Sequence, residues 1–361
     1  MEEGGVESVV LALNRELVRA GRRSVVVSRG GSLVRRLEAD GGRHLALDLK
    51  SKNPLTYLSR ARKLVRAIRS LAKDPGEKVV VCAHSRVPAW LFVWANRRLR
   101  LPWVTYAHGA NSVSRYSRVM TLGDRVVAPS RFLANYLLKS YPDDDDAPSA
   151  RRLSARLRVI PNSVDLGRFD PGRLDGDFVA SCRADWKIEE GEFVTMAIGR
   201  ITALKGFDAV IRDFAGRLGE RPRTRLVIVG GADHDKQGLL ARLKRQAQEL
   251  GVADRVVFAG PQERMAECLS IADEVVSGNT TKPESFGLSV VEAYAMNRPV
   301  RVLRKFGGVA EIMDDVASLG RPTFREAVSA LYGAGTLAER TLAVLDEAAA
   351  CGGAGWTRTG K

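Results

Sequence analysis

Short runs rich in β-branched residues alternate along this chain with longer stretches of helical periodicity, stop near residue 160, and then start again. The first set comprises residues 24–28, 78–83, 103–107 and 125–128, and the second 193–198, 225–229, 255–259, 274–277 and 300–303. Such alternation is the pattern of a parallel sheet with crossover helices, and its restart predicts two doubly wound α/β domains with ligands at the carboxyl ends of the strands, in the cleft. Between the two sets lie a solvated acidic loop, 142–150, with four consecutive aspartates, and the turn-rich Pro161-Asn162-Ser163-Val164-Asp165. These place the domains at 1–163 and 164–361. The Ala- and Gly-rich tail from about Ala348 has no periodic pattern and is expected to fray.

Length and composition narrow the class. At 361 residues, 45% of them hydrophobic, the chain can bury two cores and is neither disordered nor collagen-like. Its longest mostly apolar stretch, 88–96, is about half the ~20 residues a membrane-spanning helix needs. Met-Glu-Glu-Gly-Gly at the N-terminus has neither the basic start nor the apolar middle of a secretory signal, so a cytoplasmic site is expected. Cys82, Cys182, Cys268 and Cys351 lie far apart, without zinc-site spacing, and are expected as reduced thiols. The formal charge of +15 is unevenly placed. Residues 1–165 hold 30 Lys and Arg against 15 Asp and Glu, whereas 166–361 hold 27 of each. An anionic partner for the first half is implied: nucleic acid, anionic lipid or a phosphorylated substrate.

Two motifs in the second half carry chemistry. Gly199-Arg200 ends a candidate strand, and Lys205-Gly206 follows at the start of a helix. Cations at such a turn suit a diphosphate, Arg as a planar fork and Lys as a point charge beside helix-terminal amides, although two solvated surface cations would read alike. In the segment 283–293, Glu284 precedes a helix and Glu292 follows eight residues later. That spacing is a little over two turns, so both carboxylates can address one ligand lying across the helix N-terminus. Amides near Gly287 and Leu288 suit phosphate, and the carboxylates accept paired sugar hydroxyls. A capping Glu284 and an ion-paired Glu292 form the structural alternative.

Taken together, Gly199-Arg200, Lys205-Gly206, the Glu284-to-Glu292 segment, Gly307-Gly308 and the 161–165 turn resemble the family 4 retaining glycosyltransferases of the GT-B fold, over roughly Gly4 to Glu311. The resemblance implies that Arg200 and Lys205 hold the donor diphosphate and stabilise the leaving nucleotide, with no metal or other cofactor. Glu292 would bind the ribose hydroxyls and Glu284 the transferred sugar. Amides of Phe286, Gly287 and Leu288 would meet the diphosphate, and Gly4 and Gly5 match the family's glycine turn that approaches the phosphates. His108, at the end of a candidate strand, matches a position close to the donor sugar, where a neutral imidazole can donate one hydrogen bond. His44, His84 and His234 lack such context and are read as structural. Retention would follow from acceptor attack on the face from which the nucleotide leaves, a diphosphate oxygen taking the proton. Three departures stand out: only three residues precede Gly4, so a first strand is missing; Ser163 stands where the family often has Gly; and Asn297 replaces a helix-ending Gly, a position Asn tolerates.

From Asn53-Pro54 a basic amphipathic helix is expected. Leu58, Ala61, Leu64, Val65, Ile68 and Leu71 form its apolar stripe, and Arg60, Arg62, Lys63, Arg66, Arg69 and Lys73 fill the other positions, without an acidic residue until Asp74. It reads as a surface for anionic inner-leaflet lipid or for the acceptor. Trp90, Phe92 and Trp94, followed by Arg97, Arg98 and Arg100, either sit at a headgroup boundary or pack a helix on the sheet. The resulting expectation is a peripheral membrane hexosyltransferase, using a nucleotide sugar and a lipid-linked or phosphorylated glycan acceptor in lipopolysaccharide or cell-envelope synthesis. The alternatives are a nucleotide-sugar epimerase and a basic nucleic-acid or anionic-surface binder on a degenerate fold; no RNA-binding motif or DNA-reading helix supports nucleic acid as a partner.

Overall fold

A computed structural model of the chain describes residues 4–49, 54–71, 77–143, 152–232 and 237–351. Lys73, His234 and residues 144–146 of the acidic loop lie outside them. The chain forms two compact units, residues 1–163 with 334–361, and residues 164–333. Both are α/β with parallel strands, and all four cysteines are free.

The first unit runs α1 (Gly5–Arg19), β1 (Val25–Ser28), α2 (Val34–Ala39), β2 (Arg43–Ala46), α3 (Pro54–Leu71), β3 (Val81–Ala83), α4 (Arg86–Leu99), β4 (Trp103–Tyr106), β5 (Arg125–Ala128), α5 (Arg131–Ser140), α6 (Leu153–Arg156) and β6 (Leu157–Val159). Among the described residues no strand precedes α1, and the sheet is in two pieces, β1-β2 and β3-β4-β5-β6. Val27 of β1 and Val81 of β3 pack into one apolar cluster under α3 and α4, yet no ladder joins their strands. β2 had no counterpart among the expected strands, because Arg-His-Leu-Ala carries no β-branched residue.

In the second unit follow α7 (Gly176–Asp185), β7 (Phe193–Ile198), α8 (Phe207–Arg217), β8 (Thr224–Val229), α9 (Gln237–Glu249), β9 (Val256–Gly260), α10 (Met265–Ile271), β10 (Glu274–Ser277), α11 (Leu288–Ala295), β11 (Val300–Val302), α12 (Gly307–Ser318) and α13 (Phe324–Tyr332). One continuous parallel sheet, β11-β10-β7-β8-β9, separates two apolar clusters. All six residues of β8 are buried, as a central parallel strand covered on both faces requires. Helix α8 buries Phe207, Val210, Ile211 and Phe214 at spacings of three and four. The unit's two ends meet, the Val164 amide donating to the Tyr332 carbonyl at 3.0 Å.

The C-terminal segment corrects two expectations. α14 (Ala334–Cys351) belongs to the first unit, so the second ends at Gly333 rather than 361. Ala348 does not begin a frayed tail; it is fully buried inside a helix. Leu337, Val344 and Ala348 share a cluster with Val104, Tyr106, Val127 and Ile160 of the β4-to-β6 region, and Glu347 accepts from Arg125 (2.6 Å) and Arg158 (2.8 Å). Leu337, Thr341, Val344 and Ala348 repeat every three to four residues, a period masked by the surrounding small residues.

Candidate active site

In the second sheet β7 and β10 are neighbours whose chain connections leave in opposite directions, β7 towards β8 and β10 towards β11. A crevice opens at the carboxyl ends of two such strands. The segments following β7 (199–206) and β10 (278–287) both end there. At Gly206, φ is +62° and a Cβ would lie 2.0 Å from the Gly278 carbonyl oxygen, so only glycine lets the two segments approach. At Gly199, φ is +145° and a Cβ would lie 2.8 Å from Cε of Lys205, whose side chain crosses that position.

Lys205 Nζ reaches Glu284 Oε1 at 2.7 Å, with 27% and 20% of the two side chains exposed. The Glu284 carbonyl accepts from the Gly308 amide at 2.8 Å, fixing the loop against α12. Half-buried Glu292, on α11, has its carboxyl pushed up to about 7 by desolvation, against the opposing pull of Arg168 and Lys205. Lys205 therefore acts electrostatically on both carboxylates of the motif. Among the described residues Glu284 is ion-paired to Lys205 rather than serving as the cap residue of α11, which is Gly287, and no ion pair is recorded for Glu292. The helix thus opens after Gly287, a residue with no side chain to cap its first amides, and a helix N-terminus of this kind suits an anion. Phe286 contributes backbone only, since its ring is buried edge-on against Tyr332 at 5.7 Å. Arg200 is exposed immediately after Gly199.

Gly4, Gly5 and His108 belong to the first unit. Gly4 precedes α1 with φ −174°, extended backbone open to any residue, and a Cβ there would meet only the flexible carboxylate of Glu7. Neither glycine has positive φ, so the backbone demands glycine at neither position. His108 follows β4, and its Nε2 lies 3.0 Å from Nδ1 of His84, which follows β3. Burial pulls the His108 imidazole down to about 4, so the ring is neutral at physiological pH. A cavity of about 50 Å³ adjoins it, lined also by Glu16, Tyr106, Asn162, Ser163 and Thr341.

Residues 3–168 match the family described as Glycosyltransferase Family 4, and residues 180–320 the one described as Glycosyl transferases group 1. The chain belongs to these glycosyltransferases. It is 34% identical over 200 residues to D-inositol 3-phosphate glycosyltransferase of Segniliparus rotundus, a match covering 54% of this chain and 40% of that protein. To alpha-monoglucosyldiacylglycerol synthase of Streptococcus pneumoniae it is 28% identical over 224 residues, covering 58% and 48%. The chain thus spans less than half the length of these curated relatives. Among solved structures, a glycosyltransferase of Rickettsia africae superposes with a TM-score of 0.78 at 21% identity, covering 96% of this chain and 97% of that one. Anabaena HepE in complex with UDP and glucose gives 0.78 at 18%, covering 95% and 96%. WaaG, a glycosyltransferase involved in lipopolysaccharide biosynthesis, gives 0.60 at 17%, covering 98% and 92%. These likenesses establish the GT-B fold.

Two residues of this glycosyltransferase escaped the sequence reading. Arg168 adds a cation beside Glu292, and nothing local to its position announced that. His84, structural by its sequence context, carries one signal, its place directly after a candidate strand, as with His108. The basic helix forms largely as expected. Arg62, Lys63, Arg66 and Arg69 of α3 are exposed, and Ala61, Leu64, Val65 and Ile68 are buried. Arg60 departs from the set: 16% exposed, it turns to Asp48 at 3.6 Å. Phe92 is core rather than headgroup contact, and Trp90 Nε1 donates to the Tyr116 carbonyl at 2.8 Å. Among the described residues no helix is long and apolar enough to cross a membrane.

Proposed function

We propose that this glycosyltransferase moves a hexose from a nucleoside diphosphate sugar, with retention, to a hydroxyl of a phosphorylated or lipid-linked acceptor at an anionic membrane surface. The observation that carries the reading is Lys205 acting on both Glu284 and Glu292 at the N-terminus of α11, which opens after Gly287. Cation and helix amides suit the diphosphate, and the two carboxylates suit the hydroxyls on either side of it, Glu292 the ribose and Glu284 the hexose. In the transfer, the bond from the anomeric carbon to the diphosphate oxygen breaks as that carbon bonds to the acceptor oxygen on the same face. The acceptor's proton passes to the departing diphosphate. Arg200 and Lys205 stabilise the charge that develops there, so added metal is not required. His108, neutral, donates to a hydroxyl of the hexose.

Relatives with inositol-phosphate and diacylglycerol names support a phosphorylated or lipid-linked acceptor, and the exposed basic face of α3 supports an anionic surface. A role in cell-envelope glycan synthesis is our reading of the same likenesses, with WaaG among them. Calorimetric titration with UDP, GDP and ADP and their hexose conjugates, in EDTA, tests the donor reading. One nucleotide should saturate, and Lys205→Ala should weaken it about a hundredfold, the loss of one charge-assisted contact worth about 3 kcal/mol. Unchanged affinity in Lys205→Ala would refute the pocket, and binding only on addition of a divalent ion would refute metal independence.

A further inference from the structure

The parallel register of β3 and β4 sets Ala83 opposite Thr105, so the next residue of each chain, His84 and Tyr106, stand side by side. Their rings stack at 4.6 Å with 14° between planes. His108, two residues beyond Tyr106, returns to the same face and stacks on His84 at 5.2 Å. The 3.0 Å separation of His84 Nδ1 and His108 Nε2 is a hydrogen bond between two imidazoles, and burial holds both neutral. Among the described residues the buried Tyr106 hydroxyl has no hydrogen-bond partner, so it competes for neither ring.

A hydrogen bond between neutral imidazoles contains one proton, and its position dictates what the second ring presents elsewhere. With the proton on His84 Nδ1, His108 accepts at Nε2 and carries its own proton on Nδ1, a donor. With the proton on His108 Nε2, that Nδ1 becomes an acceptor. We propose that His84 is a positioning residue for His108: its Nδ1–H donates to His108 Nε2 and so holds His108 as the Nδ1–H tautomer, in the ring plane set by the stack. The proposal rests on the reading of His108 as a donor to the hexose, which needs that tautomer. Free imidazole favours the opposite one, so the tautomer is a signature that packing alone would not produce.

The test uses the full chain with 15N-labelled histidine; it contains four histidines, few enough to assign. At pH 7, two-bond proton–nitrogen correlations should show His108 protonated on Nδ1 alone. His84→Phe keeps an aromatic ring on Tyr106 and deletes the donor, and it should return His108 to Nε2–H or to a mixture. His84→Asn, whose amide nitrogen can stand near the Nδ1 position, should restore the Nδ1–H form. With UDP-glucose as probe, kcat for UDP release should fall about tenfold to a hundredfold in His84→Phe with KM little changed, and recover in His84→Asn. His108 on Nε2–H in the wild type, or a tautomer indifferent to His84→Phe, would overturn the proposal. An unchanged kcat in His108→Phe would instead overturn the reading of His108, and the tautomer data would still decide the role of His84.

Discussion

The two units use the same parallel grammar to different ends. In residues 164–333 the sheet is continuous, β7 and β8 are largely buried, and the reversal of strand order between β7 and β10 gathers a lysine, two carboxylates and a helix N-terminus. In residues 1–163 the sheet is divided, every residue of β1 is half-buried, and helix α14 arrives from the far end of the chain to cover β4 and β5. Charge follows nearly the same division: residues 166–361 are balanced, and residues 1–165 hold the whole excess of +15. A continuous, neutral sheet suits a site that must hold one small ligand in fixed geometry. The basic unit offers a surface, and its interior leans on a distant helix.

The sharpest way to break this contrast is to remove the charge from one unit and ask what the other loses. Replacing Arg62, Lys63, Arg66 and Arg69 together with serine should cost about 4 kcal/mol of binding to anionic liposomes, at about 1 kcal/mol per basic residue near the surface. Nucleotide affinity measured on the same protein should stay put; a parallel loss would mean that the units do not divide the work. Next in size is Leu337→Ala, which opens a cavity under α14 and should cost about 3 kcal/mol. Hydrogen exchange should then rise in β4 and β5 and not in β7 and β8; equal loss in both would return 334–351 to the second unit.

Glu292 sharpens the contrast from the other side. Its carboxyl rises from 4.5 to about 7 on folding, so the folded chain binds more protons between those values and stability falls as pH climbs through that window. Above pH 7 the whole penalty is present, at most about 3 kcal/mol by the size of the shift. Glu292→Gln should therefore melt higher than wild type at pH 8 and nearly level with it at pH 4.5, while binding nucleotide more weakly. A wild-type advantage at pH 8 would deny that the proposed donor site is held at a cost in stability. The smallest expected effect is in the native sheets, where amides of β1 and β2 should exchange about tenfold or more faster than those of β7 and β8. Equal protection would mean the divided sheet is as firmly held as the continuous one.

Much of this was legible in the chain itself, and the exceptions have physical causes. Strands 193–198 and 274–277 and the start of α8 were readable because β-branched runs and three-to-four spacing are local properties. The Glu284-to-Glu292 spacing was readable because helical pitch converts sequence distance into spatial distance. Sequence could not show that Lys205 lies 2.7 Å from Glu284, 79 residues away, because that contact depends on β7 and β10 being neighbours. Nor could it show Arg60 turning to Asp48, or Phe92 turning into the core, since both choices are made by what lies on the other side. β2 was missed for lack of β-branched residues, and α14 for its small ones.

By itself, then, the order of residues determined the two α/β units, the Lys205 and Glu284-to-Glu292 motifs and the basic face of α3, since each is written in neighbours a few positions apart. Tertiary structure alone decided the split of the first sheet, the return of α14 to the first unit and the pairing of His84 with His108. Each depends on which strands lie side by side, and strand order is set by burial of whole faces rather than by any local run of the chain.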